Sequence, residues 1–161
     1  MARRFVMPTR VFAGTCVVGL LVASVGTFLP WFSSGGVERD SYQAAAFADS
    51  LALVDNPLLG LLLRAWIGVP SLSAVCVALF ALGLLRVAAV TTLPLATLVG
   101  TVSVVAIVQA AGSAGAVSVT ATGPATTTTG MTTAMLSAVG VLVSYWGKRD
   151  RRCAETGRAG V

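Results

Sequence analysis

The chain has 161 residues, 56% of them hydrophobic and 11% charged, with a mean hydropathy of +0.88. A soluble domain carries about 25% charged residues, so this composition excludes an ordinary soluble enzyme or binding module and points to one integral membrane domain over residues 1–161. The net charge of +5 is not read as a nucleic-acid footprint, because the cations gather beside apolar runs at the two ends: Arg3, Arg4 and Arg10 at one, Lys148, Arg149, Arg151, Arg152 and Arg158 at the other.

The first uncharged run, residues 11–37, predicts a membrane helix over about 11–30. It is long for the apolar core of a signal peptide, so a retained helix is expected rather than a cleaved leader. The stretch "LPWFSSGGVERDSYQ", residues 29–43, comes next. It reads as the exit from the membrane and the start of an ordered outer loop, 31–65. Asp40 stands at an N-cap position with Gln43 three residues on, a variant of the capping box. Ala44, Phe47, Leu51, Val54 and Leu58 recur at helical steps, with Asp49 on the opposite side, which predicts a short amphipathic helix outside the membrane.

A second span is expected over about 66–86, with Pro70 as a source of a kink. The run from 87 to 147 holds no charge and is too long for one crossing. It is divided at the Gly- and Thr-rich stretch 112–129, read as a polar connector, which gives spans of about 88–111 and 130–147. The fold expected is therefore all-α: a four-helix transmembrane bundle with an extracytoplasmic amphipathic helix between the first two spans. Basic residues mark the cytoplasmic side, so both termini and Arg86 are placed inside, in a bacterial plasma membrane. Trp31, Trp66 and Trp146 each fall at a predicted helix end, where indole prefers the interface.

The same sequence is poor in chemistry. It has no His, its three cysteines include no CxxC pair, and no ionisable side chain falls within a predicted span. No catalytic, cofactor-binding or metal-ligating residue is expected, and ion-coupled transport lacks its usual intramembrane charge. Two residue sets remain. Glu38, Arg39, Asp40 and Tyr42 in the outer loop, with Arg64, are candidates for contact with a partner or ligand. Small residues at four-residue spacing, Gly19 and Ala23, Ala96 and Gly100, and Gly130, Ala134 and Ala138, are candidates for a helix-packing face, within the chain or against another membrane protein or a second copy.

The run from Pro30-Trp31 through the glycine turn to "RDSY" at 39–42, followed by "ADSLALVD", resembles the first outer loop of small four-helix membrane proteins from actinobacteria. The single Lys against ten Arg agrees with that source. The resemblance implies architecture and an envelope location only, since no activity attaches to those proteins. The expected function is a structural or accessory membrane protein of a bacterial cell envelope, working in the lipid bilayer with another membrane protein or by self-association. A small oligomeric transporter or channel would instead need a polar cavity lined by Gln109, Ser103 and Thr101. An envelope lipid-binding protein or enzyme would need Glu38, Arg39, Asp40 and Tyr42 to converge.

Overall fold

The computed structural model describes residues 6–34, 37–43, 66–112 and 117–158. In chain order these form α1 (Val6–Phe28), β1 (Pro30–Ser34), β2 (Val37–Asp40), α2 (Val69–Ala81), α3 (Leu85–Gly112), β3 (Val117–Val119) and α4 (Thr122–Arg158).

Three of the helices contain stretches long and apolar enough to cross a membrane: Thr9–Phe28, Leu85–Val108 and Thr122–Trp146. At about 1.5 Å per residue each exceeds or matches the roughly 30 Å of a hydrocarbon core. The expected second span is represented by α2, whose 13 residues cover only about 20 Å. A turn at Ile67–Gly68 precedes it, and Pro70 falls in its first turn, where a missing N–H costs no helical bond. Pro70 therefore starts a helix rather than kinking one.

The outward and inward faces of these helices are reversed relative to a soluble protein. Val11, Val18, Leu21, Val25 and Phe28 of α1 are exposed, as are Val90, Leu98, Val102, Val105 and Val108 of α3. Many of the buried positions are small or hydroxylic, Cys16, Ala23 and Thr27 on α1, Ala88, Ala89, Thr92, Ala96 and Ser103 on α3, Thr127, Ala134 and Ala138 on α4, alongside the larger Leu20, Val99, Met131 and Val141. Large apolar side chains facing outward over whole helix lengths suit lipid as the surrounding medium.

The most extensive contact joins α1 to α4, antiparallel. A Cβ on Gly19 would lie 2.7 Å from the Gly130 carbonyl oxygen, and one on Gly26 would lie 2.7 Å from the Thr127 amide nitrogen. Backbone touches backbone here because no side chain stands between. The third long helix packs on α4 around Val99 and Met131. A turn with Gly83 at φ +78° reverses the chain between α2 and α3, a left-handed conformation that glycine adopts at little cost.

Two expectations are corrected. The chain is not purely helical: a three-stranded antiparallel sheet in the order β2-β1-β3 covers one end of the bundle. And the Gly- and Thr-rich stretch is not a connector throughout. Residues 117–119 form β3, and α4 begins at Thr122, eight positions before the expected start at 130. The reason lies in the threonines. The hydroxyls of Thr126, Thr127, Thr128, Thr129 and Thr133 each donate to the carbonyl four residues back, at 2.7–2.9 Å. A hydroxyl so bonded is no longer a polar group in need of water. Pro124 sits in the first turn, where it is tolerated. In α3, Pro94 lies well inside a helix that continues through it, so it produces no break.

Open sheet edges do not occur in hydrocarbon, so the sheet fixes one boundary of the membrane zone. The Gly83 turn, the start of α1 and the basic end of α4 lie at the opposite boundary. Of the amphipathic helix expected over 41–58, residues 41–43 are helical; the remainder, with Phe47, Asp49 and Leu51, and Arg64 beyond it, lie outside the described residues.

The arrangement is tested by labelling and by melting. In a variant with all three cysteines replaced by alanine, cysteine at Gln43 reacts with an impermeant maleimide on intact cells. Cysteine at Leu84 reacts only after permeabilisation, and labelling of both from one side contradicts the arrangement. Gly130→Ala lowers stability by about 1–3 kcal/mol in detergent melts, the usual cost of overpacking. Gly14→Ala, where an added Cβ meets nothing within 4 Å, leaves stability equal or slightly raised.

Candidate functional site

The sheet end of the bundle gathers most of the polar and aromatic side chains that the sequence singles out. It is built around the C-terminus of α1. The last carbonyls of a helix lack intrahelical amide partners, and here side chains of Trp31 and Ser41 bond two of them, the Gly26 carbonyl also accepting the Leu29 amide at 3.3 Å. Trp31 Nε1 donates to the Gly26 carbonyl at 2.9 Å. Ser41 Oγ donates to the Thr27 carbonyl at 2.6 Å and accepts from Trp66 Nε1 at 3.2 Å. Indole, hydroxyl and carbonyl thus form a continuous chain of hydrogen bonds, each polarising the next.

Trp31 reaches this position through a β-bulge. Pro30 pairs with Asp40 and Phe32 with Arg39, which leaves Trp31 as the extra residue of β1. A bulge re-aims the side chain it carries, and Trp31 is 3% exposed beneath the sheet. Its ring meets Trp66 edge-on, with centroids 5.9 Å apart at 77°. Its carbonyl accepts the Thr120 amide at 3.0 Å, and Pro30 O accepts Thr122 Oγ1 at 3.4 Å. These bonds fasten β1 to the start of α4. Gly123 is required beneath it, since an added Cβ would lie 2.8 Å from Pro30 O and closer still to the indole. Of the three tryptophans expected at helix ends, Trp31 plugs the bundle, Trp66 is half-buried against it, and Trp146 is exposed within α4, which continues past it to Arg158.

Asp40 ends β2 and caps the helical turn that begins at Ser41. Its Oδ1 accepts the amides of Tyr42 at 3.0 Å and Gln43 at 2.8 Å, and residues 41–43 are helical. The cap expected from the sequence is thus in place. The charges before it, Glu38 and Arg39, lie in a strand and not in a helix. Thr27 Oγ1 spends its proton on the Ser24 carbonyl at 2.7 Å, so the Tyr42 phenol is the donor in their 3.0 Å bond. The Tyr42 ring also packs on Phe28 at 5.2 Å. Burial, and secondarily the Asp40 carboxylate, push the Tyr42 phenol above its ordinary value; the bond to Thr27 offsets part of this.

The candidate contact residues are thus brought to one end but not to one point. Strand alternation puts Glu38 and Asp40 on one face of β2 and Arg39 on the other. Glu38 is exposed, whereas Asp40 and Tyr42 are engaged with the backbone of 42–43 and with Thr27. Arg64 lies outside the described residues, and so does the side chain of Gln109. Ser103 is buried and bonded to Val99 O, while Thr101 is exposed and bonded to Thr97 O, so these two do not line a shared cavity. The small residues Gly19, Ala23, Gly130 and Ala134 meet one another across α1 and α4, Ala138 is buried on α4, and Gly100 faces Met131. Ala96 is buried on α3. The buried thiols are engaged as weak donors: Cys16 to Ala134 O at 3.4 Å, and Cys76 to Thr91 Oγ1 at 3.6 Å, that hydroxyl already donating to Val87 and Ala88. No group of three metal-ligating side chains occurs among the described residues.

Of the two hydroxyls on which this end depends, the sequence pointed to Ser41 only as a member of the 38–43 cluster and not at all to Thr27. The only local signal was the polar break in an apolar run followed by "DSY" at 40–42. No family model, no curated protein and no solved structure matches this chain at a significant level.

Ser41→Ala removes one donor and strands the Trp66 indole N–H, which lowers thermal stability by about 1–3 kcal/mol. Ser41→Thr restores part of it. For Tyr42 the folded form holds the proton more tightly than the unfolded form. Its contribution is therefore complete below the unfolded phenol value and falls as pH rises through the raised folded value. In a Tyr145→Phe background, tyrosinate absorbance appears only above the ordinary phenol range, and Thr27→Val shifts its onset.

Proposed function

We propose that this chain is a structural or accessory membrane protein of a bacterial cell envelope, acting through contact with another membrane protein. The observation that carries this reading is the seam of α1 and α4. The small-residue faces that could have lined a path through the bundle are packed on one another, backbone against backbone. No Asp, Glu, Lys, Arg or His occurs in residues 11–37 or 87–147, so the long helices bring no titrating group to membrane depth.

The sheet end then serves as a presentation surface. It is stiffened by the Trp31–Gly26 and Ser41–Thr27 bonds and leaves Glu38 and Gln43 exposed. With both termini in the cytoplasm, this surface faces out of the cell, and the resemblance of residues 29–43 to actinobacterial envelope proteins supports the same orientation.

Purified protein in liposomes is expected to show no uptake under a pH or sodium gradient above empty liposomes, and reproducible gradient-driven flux overturns the reading. In native membranes, a photo-crosslinker at Gln43 is expected to yield a single defined adduct that Glu38→Arg diminishes at least several-fold. Adducts formed equally well from lipid-facing Leu98 count against it.

A further inference from the structure

The end opposite the sheet has its own composition. The Arg86 guanidinium, in the first turn of α3, lies 5.6 Å from the centroid of the Tyr145 ring on α4. A guanidinium within about 6 Å of a ring centroid is attracted by the ring face, and its planar N–H fork matches a phosphate. Lys148, Arg149 and Arg152 occupy positions three, four and seven residues beyond Tyr145 on the same continuous helix. Those spacings put all three register positions on the Tyr145 side of α4. Asp150 falls on the opposite side, and Glu155 lies about 15 Å farther along the helix axis. Beside Arg86, the turn carries two exposed apolar residues, Leu82 and Leu84. Trp146, next to Tyr145 and exposed, marks headgroup depth.

We propose that this rim is a binding site for the headgroup of an anionic phospholipid. The phosphate is held by Arg86 beside the Tyr145 ring, the basic positions of α4 supply further attraction, and the acyl chains lie on Leu82 and Leu84. The neighbouring leucines select an amphiphile over free phosphate, since a solvated ion gains nothing from them. The site rests on the membrane reading above, but not on any role at the sheet end.

The test uses the full chain in nonionic detergent, with native mass spectrometry counting bound phosphatidylglycerol or phosphatidylcholine, and inorganic phosphate as a competitor. Phosphatidylglycerol is expected to be retained preferentially, and millimolar phosphate to leave that preference intact. Arg86→Gln weakens retention about fivefold, the usual effect of one basic side chain at an anionic surface. Arg86→Lys, which keeps the charge and loses the planar N–H fork, falls between. Arg149→Gln with Arg152→Gln also weakens retention and decides the matter if Arg86→Gln fails to fold. Arg158→Gln, at the far end of α4, has no effect. Equal losses for Arg86→Gln and Arg158→Gln mean diffuse charge and overturn the site, as does displacement of lipid by inorganic phosphate. Failure of the chain to float with liposomes in a density gradient strikes the membrane reading instead.

Discussion

The architecture depends on the close approach of α1 and α4. Lipid tails are as apolar as a leucine, so helices in a bilayer gain little by hiding apolar side chains from their surroundings. What remains is contact distance. At Gly19, Gly26 and Gly130 that distance has been reduced until main chain meets main chain. Larger residues at any of these positions push the helices apart, and the dispersion contacts of the whole seam weaken together. The large side chains Val18, Leu21 and Val25 can then point outward without loss, because lipid receives them.

The sheet end is a consequence of that seam. With α1 and α4 pressed together, the C-terminus of one and the N-terminus of the other arrive side by side. Helix ends carry unsatisfied groups, and the end of α1 is also where the chain leaves hydrocarbon. Trp31 and Ser41 answer both demands, taking up the Gly26 and Thr27 carbonyls while covering them with aromatic surface. The strands add no large core of their own. They hold Trp31 in its bulge and tie it to Thr120 at the root of α4.

Much of this was legible in the sequence, and the parts that were not have definite causes. Apolar runs bounded by charges located α1 and α3, because the cost of burying charge in lipid is large enough to dominate every local preference. The cap at Asp40 was legible because an N-cap is local chemistry. The start of α4 was misplaced because threonine is polar in a hydropathy count but self-satisfied in a helix, as the bond from Thr127 to Gly123 illustrates. The sheet was missed for two reasons: the β1–β2 pairing is local, Ser34 with Val37, but its strands are only five and four residues long, and the pairing of Phe32 with Val119 is a tertiary fact that no window around either residue contains. The same is true of the candidate site. "ERD" at 38–40 looked like one cluster of charges, and only the strand's alternation separates Arg39 from its neighbours.

The bond between Trp66 and Ser41 joins residue 41 directly to residue 66, so the two ends of the segment between Gln43 and Trp66 are pinned at one place on the bundle. With the ends pinned, the gap that the segment must span is set by the bundle and not by the segment's own length. A change in the length of a connection closed in this way costs little, about 0.6 kcal/mol for each doubling. An insertion, a deletion or a grafted epitope between Gln43 and Trp66 therefore leaves the register of the helices on either side as it was.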